Sequence, residues 1–251
     1  MIVIDIGNTN IVLGIISKQK IKKTIRFNTK EKKLTIELDK YFSLQNISKY
    51  NLDFKVCIVS SVSKVPEKEI KFFFKTLDFK FLNINLKNIP KTIKFNYNYS
   101  QLGADRIANT FAAIKKYGKN SLVVDFGTAT TFDVIINNVY QGGLISPGIN
   151  ISLDALVCNA SKLNIISINK INKIIGNNTK SSMQSGFYWG YVSLINGVIQ
   201  RIILEKKFKP KIIITGGLAK TFETQINYQT YYEPNLTLEG LYLIGKMKYA
   251  S

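Results

Sequence analysis

Two turns of the sequence place an aspartate, a glycine and several hydroxyl or amide side chains at similar spacing. Asp5-Ile6-Gly7-Asn8-Thr9-Asn10 follows the apolar residues 1–4, and Asp125-Phe126-Gly127-Thr128-Ala129-Thr130-Thr131 follows the apolar residues 122–124. Glycine lets a backbone turn so tightly that its N–H groups converge, and adjacent polar side chains add donors for phosphate. An aspartate at the end of a strand can hold hydrated Mg²⁺ beside phosphate oxygens. One such turn is usually an ordinary β-turn with a capping aspartate, whereas two of them indicate phosphate binding.

A third segment brings an acid and a guanidinium together where a helical pattern begins. The sequence Leu102-Gly103-Ala104-Asp105-Arg106-Ile107-Ala108-Asn109 contains one of only three arginines in the chain. Asp105 can act as a base, Arg106 suits phosphate or carboxylate oxygens, and the positive end of a helix favours anions. Taken alone, this pattern is more often a helix cap with a surface ion pair.

The absence of histidine excludes several kinds of active site. The chain of 251 residues has no histidine, so it has no Ser-His-Asp or Cys-His pair and no histidine-ligated zinc. Proton transfer must use Asp, Glu, Lys, Tyr or water. Cys57 and Cys158 are too far apart for a CxxC motif and do not suggest a disulfide framework. Neither a GxxxxGK[ST] loop nor a GxGxxG turn is present.

The charge balance is strongly basic, with 35 Lys and Arg against 16 Asp and Glu and a net charge of +19. Such a balance can indicate nucleic acid or an anionic surface as partner. Nearly all of the excess is scattered lysine, and no RRM-type aromatic pattern or zinc module accompanies it. Compositional bias accounts for the charge better, so we do not expect nucleic acid as a partner.

The apolar segments predict a protein without a membrane partner. The N-terminal run is interrupted by Asp5, Asn8, Thr9 and Asn10 and has no basic region before it, and no uninterrupted apolar run of about 18 residues occurs. We therefore expect a soluble, unsecreted protein in the reducing cytoplasm.

The elements around the three segments predict an α/β protein built from two similar halves. Each Asp-x-Gly turn lies between two apolar runs, which predicts a hairpin, and the pattern recurs after about 120 residues. Strands are predicted over 57–62, 79–82 and 212–214, and helices over 66–77, 105–117 and 182–205. Alternating strands and helices form α/β layers. We place the boundary at Gly118, giving halves 1–118 and 119–251.

Glycines mark two further places in the predicted second half. Thr215-Gly216-Gly217 ends the strand over 212–214 in another glycine turn, with a helix expected from about Ala219. The long helix contains Gly186, Gly190 and Gly197, which would allow close packing. The three glycine turns, taken in order, resemble the phosphate and nucleoside turns of the actin, Hsp70 and sugar-kinase ATPase superfamily. That resemblance implies two ribonuclease H-like halves, each a mixed sheet flanked by helices, with ATP in the cleft between them.

The Gly-Ala-Asp-Arg segment between the two Asp-x-Gly turns makes the resemblance more specific. In this order the motifs are similar to those of type III pantothenate kinase, a coenzyme A pathway enzyme of many bacteria. The similarity spans essentially the whole chain, because further segments match along it: Tyr140–Gly148, Gly176–Thr179, Gln184–Gly186 and Leu236–Leu241.

The resemblance implies transfer of the ATP γ-phosphoryl group to the primary hydroxyl of pantothenate, giving 4′-phosphopantothenate and ADP, the first step of coenzyme A biosynthesis. It implies catalytic roles for Asp105, the proton acceptor, and Arg106. The pantothenate contacts it implies are Gly103, Ala104, Asp105, Arg106 and Thr179. The ATP-binding residues it implies are Asp5, Ile6, Gly7, Asn8, Thr9, Asn10, Ile11, Val12 and Thr128.

The resemblance also implies cations and a partner. Asp125 would bind K⁺ or NH₄⁺, and Asp5 would hold Mg²⁺ through water. The chain would form a homodimer in which Thr179 reaches the pantothenate site of the neighbouring subunit. Phosphoryl transfer needs mainly positioning and charge stabilisation, so a carboxylate base is compatible with the missing histidine.

One departure from the family pattern affects the substrate site. Family members usually carry a tyrosine about seven residues before Gly-Ala-Asp-Arg, where this chain has Asn96, and a proline where it has Tyr99. Tyr97 and Tyr99 are the candidates to replace that tyrosine. Two other functions fit the same fold: a basic regulatory protein that acts through nucleic acid or a protein partner, and a kinase of another small molecule, since fold alone does not fix the substrate.

Overall fold

The computed structural model describes residues 1–52, 54–98 and 101–249, and their contacts divide into two compact units. Unit 1 holds Met1–Lys116 and Asn235–Ser251, and unit 2 holds Tyr117–Pro234. Each unit is built around one β-sheet with helices against it. The predicted α/β class, with a mixed sheet flanked by helices in each half, is therefore confirmed.

Unit 1 has a five-stranded sheet in the order β3-β2-β1-β4-β5. β2 runs antiparallel to β1 and β3, whereas β1, β4 and β5 are parallel. The strands are β1 (Ile2–Ile6), β2 (Asn10–Ser17), β3 (Lys20–Asn28), β4 (Val56–Ser61) and β5 (Lys80–Asn83), followed by the short β6 (Lys94–Phe95). The helices are α1 (Leu34–Phe42), α2 (Leu44–Ser48), α3 (Lys64–Thr76), α4 (Ala104–Tyr117) and, at the end of the chain, α8 (Leu236–Tyr249).

Unit 2 contains five strands in the order β11-β10-β7-β8-β9. β7, β10 and β11 are parallel, and β8 is antiparallel to β7 and β9. The strands are β7 (Ser121–Phe126), β8 (Ala129–Ile136), β9 (Val139–Pro147), β10 (Lys211–Thr215) and β11 (Thr230–Tyr232). The helices are α5 (Ile149–Asn159), α6 (Thr179–Lys206) and α7 (Ala219–Phe222), with a 3₁₀ turn over Glu223–Gln225.

The two sheets share one arrangement of strands. In each, a central strand that ends in an Asp-x-Gly turn lies between an antiparallel hairpin partner and a parallel strand that arrives after a helix. The central strands consist of the apolar residues expected for burial on both faces, because the sequence neighbours Ile2 and Val3, and Leu122 and Val123, are all inaccessible to solvent. The recurrence of the turn in sequence thus corresponds to a recurrence of topology.

The last helix packs with unit 1, where α8 lies against β1, β2 and β4. The predicted second half, 119–251, includes this segment, and the division into two functional halves stays a prediction. The long helix begins at Thr179, three residues before the predicted start, because Asn178 caps it. In the described residues no helix is long and apolar enough to cross a membrane.

Candidate active site

The first Asp-x-Gly turn joins β1 to β2 at the carboxyl end of the central strand of unit 1. The Gly7 N–H donates to the Asn10 carbonyl oxygen at 2.9 Å. A Cβ added to Gly7 would lie 3.0 Å from the same oxygen, so the turn requires glycine to stay this tight. Asn8 and Thr9 are exposed at its tip, and Asp5 is half-buried at the end of β1. The turn therefore presents backbone and side-chain donors beside a carboxylate.

The other three residues of the predicted ATP-binding segment lie in the strands. Ile6 and Ile11 are buried and face each other across the hairpin, and Val12 pairs with Asp5. These side chains hold the hairpin, and the groups that can reach a ligand are at the turn. A supporting residue missed by the sequence analysis is Thr29, whose hydroxyl donates to the Gly7 carbonyl oxygen at 2.8 Å. Its only sequence signal is a position directly after the third strand of the sheet.

The second Asp-x-Gly turn joins β7 to β8 at the equivalent place in unit 2. The Gly127 N–H donates to the Ala129 carbonyl oxygen at 3.2 Å, and the Gly148 N–H donates to the Thr128 carbonyl oxygen at 3.0 Å. A Cβ added to Gly148 would lie 2.3 Å from the Thr128 oxygen and 2.6 Å from the Gly127 oxygen. Because Gly148 directly precedes α5, the glycine-rich segment at 140–148 packs its backbone against the turn.

Gly216, at the end of β10, packs against the other side of this turn. Its φ is +92°, and a Cβ there would lie 2.5 Å from Asp125 Oδ1 and 2.6 Å from both the N and the O of Phe126. Any L side chain would be strained by this backbone conformation and would collide with the carboxylate. The third glycine turn predicted from the sequence thus meets the second one at Asp125.

Next to the second turn, the start of β8 is hydrogen-bonded to α6. The hydroxyls of Thr130 and Tyr191 form a buried hydrogen bond. Burial raises the pKa of Tyr191, with smaller opposing contributions from this hydrogen bond and from the backbone at Ile149. The phenol stays protonated at neutral pH. Its ring packs against Phe126 and Phe222, so an aromatic cluster supports the turn.

The Gly-Ala-Asp-Arg segment forms the start of α4. The Arg106 N–H donates to Asp105 Oδ1 at 2.8 Å, and a Cβ on Gly103 would lie 2.4 Å from that oxygen. The carboxylate of Asp105 thus folds back over Gly103, and a side chain at 103 would displace it. Ala104 and Arg106 are buried, whereas Asp105 is half-exposed. The first turn of α4 thus carries a half-exposed carboxylate, held by the backbone N–H of Arg106, and a buried arginine as its neighbour in sequence.

Tyr97 lies beneath the guanidinium of Arg106. The Arg106 Cζ is 5.9 Å from the centre of the Tyr97 ring, a distance typical of a cation–π contact. Asn96, at the position of the family tyrosine, is exposed. Tyr97 is therefore the described tyrosine that adjoins the segment, while Tyr99 lies outside the described residues.

Thr179 is the first residue of α6 and is exposed. Asn178 caps the helix, because its Oδ1 accepts a hydrogen bond from the Ser181 N–H at 2.9 Å. A Cβ on Gly176 would lie 2.4 Å from the Ser182 nitrogen, so the preceding loop folds onto the first turn of the helix. The Gly-Asn-Asn-Thr motif thus forms a capped helix N-terminus that presents Thr179 to solvent.

A stripe of glycines runs along α6 from this end. Gly186, Gly190 and Gly197 are predicted to allow close packing, and within the described chain a Cβ on any of them meets no atom of another element within 4 Å. Close packing at these glycines is therefore not found within the described chain. A groove of about 510 Å³ lies over Gly186 and Gly190, bounded by Ile174 and Trp189. Ile174 and the adjacent Ile175 are 64% and 81% exposed, so apolar side chains edge an open surface of small residues.

Asp5 and Asp125 are the candidates to hold cations, one at the end of each central strand. The Asp125 carboxylate and the Phe126 carbonyl oxygen both face Gly216, and such oxygens are the donors that hard cations take. A single exposed-turn carboxylate at Asp5 suits Mg²⁺ that is otherwise held by phosphate and water. Among the described residues, no group of three or more His, Cys, Asp and Glu side chains lies together.

Sequence comparisons agree with the order of these segments. The sequence model of the family described as type III pantothenate kinase matches residues 1–201. A type III pantothenate kinase of Persephonella marina is 39% identical over 95% of this chain and 95% of its own length. That of Pelagibacter ubique is 40% identical over 96% of each chain.

Solved structures agree with the fold. A Baf family transcriptional activator from Campylobacter jejuni covers 100% of both chains with a TM-score of 0.61 at 21% identity. The ADPNP-bound activator of the 2-hydroxyisocaproyl-CoA dehydratase of Clostridium difficile covers 100% of this chain and 96% of its own with a TM-score of 0.57 at 11% identity. The solved structures similar to this chain also include an ethanolamine utilization protein, a ROK hexokinase and MreB5, and this likeness shows the actin-like ATPase fold. The fold and the two close relatives together show that this chain belongs to the type III pantothenate kinase family.

Proposed function

We propose that this pantothenate kinase uses Asp105 as the base for ATP-dependent phosphorylation of pantothenate to 4′-phosphopantothenate, the first step of coenzyme A biosynthesis. The observation that carries the assignment is the carboxylate folded over Gly103 and fixed through Oδ1 by the Arg106 N–H. We assign Oδ2 to accept the proton of the pantothenate primary hydroxyl as its oxygen attacks the γ-phosphorus. The guanidinium of Arg106, over the ring of Tyr97, would bind substrate or transferring oxygens.

The substrate contacts follow from the same segment. Gly103 and Ala104 bring backbone N–H groups to the start of α4, where the helix dipole favours the negative charge of a carboxylate or phosphate. Tyr97 takes the place of the family tyrosine, because it is the described ring beside Arg106. Pantothenate is an anion with a carboxylate, so a buried guanidinium next to an aromatic ring suits it.

The two Asp-x-Gly turns are proposed to bind ATP. The N–H groups and side chains at Asp5–Val12 and the side chain of Thr128 would contact its phosphates, and Gly216 would border the nucleoside. The dehydratase activator, a protein of the same fold, was solved with bound ADPNP, which supports nucleotide binding by this fold. Mg²⁺ beside Asp5 would supply charge neutralisation at the phosphate oxygens. K⁺ or NH₄⁺ would be held by the Asp125 carboxylate.

A homodimer is proposed from the open face of α6. The glycine stripe, the exposed Ile174 and Ile175 and the groove between them form a surface onto which a second copy can pack small residues against small residues. Thr179 begins the same helix, and in a dimer it would reach the pantothenate site of the partner. A two-fold interface repeats such a contact in both sites.

The proposed location is the cytoplasm. The pathway consumes ATP, and both cysteines are free thiols, with Cys57 buried and Cys158 exposed. Free thiols persist in a reducing compartment.

The first experiment tests the base. Asp105→Asn should lower kcat by about 10² to 10⁴, the range for a positioned general base, with ATP affinity retained. Pantothenate-dependent ADP release gives kcat, and titration calorimetry gives ATP affinity. Asp39→Asn, an exposed change on α1 of the same unit, is the matched control. Wild-type turnover in Asp105→Asn would remove this residue from the role of base.

A second experiment tests the shared site. Asp105→Asn and Thr179→Trp should each be inactive alone, whereas mixed dimers hold one site with both native residues. Random assortment then restores about a quarter of wild-type activity by symmetry. The two variants are refolded together, and sedimentation confirms the dimer. Without recovery despite demonstrated subunit exchange, Thr179 would belong to its own subunit's site or to none.

A further inference from the structure

The C-terminal segment Leu236-Thr237-Leu238-Glu239-Gly240-Leu241 has no role in the proposed chemistry, yet it opens α8 with a dense set of contacts. Leu236, Leu238 and Leu241 are buried at 0–2% exposure. Such burial explains apolar residues at these positions, but not the glycine or the threonine between them. Gly240 and Thr237 are explained by the contacts of α8 with α4.

Gly240 is the point where α8 meets α4. A Cβ added to Gly240 would lie 1.9 Å from the Ala108 carbonyl oxygen and 2.4 Å from its carbonyl carbon. The two helix backbones are therefore in direct contact, and any side chain at 240 would drive them apart. Ala108 lies three residues after Asp105, which is one helical turn away.

Thr237 supplies a polar contact at the next residue of α4. Its hydroxyl donates to Asn109 Oδ1 at 2.9 Å, and Asn109 is only 1% exposed. Towards the solvent end of α4, the Lys116 Nζ lies 2.8 Å from Glu239 Oε2. The two helices are thus joined by a backbone contact, a hydrogen bond to a buried side chain and a partly exposed ion pair.

Another side of α8 rests on the sheet that carries the first Asp-x-Gly turn. A Cβ on Gly245 would lie 2.7 Å from Ile58 and 2.8 Å from the Met1 sulfur. Leu238 in turn fills the space beside Gly14 on β2, 3.3 Å from a Cβ added there. One helix therefore contacts both the sheet that holds the β1–β2 hairpin and α4, the helix whose first turn carries Asp105.

We infer that α8 sets the position of α4 against the sheet, and that Gly240 and Thr237 are positioning residues for Asp105. This inference rests on the proposed function, because it assumes that Asp105 is the base. Asp105 lies on the first turn of α4, its carboxylate is half-exposed, and its Oδ1 accepts a hydrogen bond from the backbone N–H of Arg106. Contacts one turn further along, at Ala108 and Asn109, fix the direction in which that first turn points.

The test compares two substitutions of one side chain. Thr237→Val removes the hydroxyl at nearly constant volume and should lower kcat about tenfold, since a small displacement of a reacting group is costly. The KM for ATP should stay within about twofold, because ATP is assigned to the turns. Thr237→Ser keeps the hydroxyl and should restore kcat. Hydrogen exchange in the α4 peptide should rise in Thr237→Val but not in Thr237→Ser.

Gly240→Ala extends the test, and Glu239→Gln is its control. Gly240→Ala should lower kcat by about 10² because the helices must separate. Glu239→Gln removes only the partly exposed ion pair, whose contribution is small, and should keep wild-type kcat. If Gly240→Ala does not fold, the comparison of Thr237→Val with Thr237→Ser still tests the inference.

The outcomes separate this inference from the proposed function. Wild-type kcat and exchange in Thr237→Val, beside an inactive Asp105→Asn, would overturn the inference alone. An equal loss in Thr237→Val and Thr237→Ser would also overturn it, because the hydroxyl would then not be the group that acts. A loss in Thr237→Val with a fully active Asp105→Asn would overturn the base and leave α8 supporting another group of α4.

Discussion

The two Asp-x-Gly turns have the same position in their sheets but are supported by different means. At the first turn, the Thr29 hydroxyl donates to the Gly7 carbonyl oxygen from the end of β3. At the second, the backbones of Gly148 and Gly216 pack directly against Thr128 and Asp125. The first turn thus has one side-chain hydrogen bond that a substitution can remove, beside a backbone one from the Thr29 N–H to the Thr9 carbonyl oxygen at 3.0 Å. At the second turn, the glycine backbones pack so closely that a new side chain would disturb it.

The two turns also differ in how much an added side chain would disturb them. A Cβ at Gly7 comes no closer than 3.0 Å to its neighbour, whereas one at Gly148 or Gly216 would come within 2.3 to 2.5 Å of an oxygen. A methyl group at 3.0 Å needs its neighbour to shift by a few tenths of an ångström, whereas one at 2.3 to 2.6 Å from backbone atoms forces a larger displacement. We therefore expect side chains added around the second turn to displace it further than one added at Gly7 displaces the first.

The largest effect is expected at Asp5 and Asp125, the carboxylates that begin the two Asp-x-Gly turns. Asp125→Ala should lower kcat by about 10² to 10³ through lost charge stabilisation and should abolish any preference for K⁺ over Na⁺. Asp5→Ala should keep that preference and raise the Mg²⁺ requirement instead. Initial rates in matched KCl and NaCl, with Mg²⁺ varied, distinguish the two. Equal rates of the unmodified enzyme in K⁺ and Na⁺ would contradict the cation assignment.

Gly216→Ala is expected to be the next most damaging change. The new methyl would collide with Asp125 Oδ1 at a φ of +92°, so the carboxylate must move, and kcat/KM for ATP should fall about 10²-fold. Stability should fall by about 1–3 kcal/mol from the overpacking. Gly217→Ala, whose Cβ meets open space among the described atoms, is the control for stability by thermal unfolding. Unchanged ATP kinetics would show that the second turn is not fixed by this contact.

Gly148→Ala tests the opposite side of the same turn. The atoms nearest to its methyl would be the carbonyls of Thr128 and Gly127, whereas at Gly216 the nearest atom is the Asp125 carboxylate oxygen. We expect about a tenfold loss in kcat/KM for ATP with the K⁺ dependence retained. Rates measured across ATP and KCl concentrations provide the check. A changed cation preference would mean that the two glycines do not act on separate parts of the turn.

Much of this architecture could be predicted from local sequence. The hairpins at Asp5 and Asp125 follow from buried strands that end in glycine turns, and the helix over 105–117 follows from apolar spacing that matches Ala104–Tyr117. The family motifs then identified the candidate residues in order. The site roles themselves stay predictions, since they depend on ligands.

What could not be predicted depends on contacts far apart in the chain. Thr29 supports Gly7 across 22 positions, and Thr237 reaches Asn109 across 128. The glycines of α6 have the same spacing whether they face a core or an open surface, so helical periodicity could not tell the two apart. Pairings of this kind are set by the tertiary fold, for which a single sequence carries no local signal.

The smallest expected effect is at Thr29. Thr29→Val removes the hydroxyl that donates to the Gly7 carbonyl oxygen at 2.8 Å, and one such hydrogen bond contributes about 1 kcal/mol, or about fivefold in affinity. The KM for ATP should rise by about two- to fivefold with kcat nearly unchanged, because Thr29 supports a turn assigned to ATP binding and not the group assigned as base. Thr29→Ser should restore the KM, and steady-state kinetics of the three proteins are sufficient. A large fall in kcat in Thr29→Val would mean that the first turn is as rigidly required as the second.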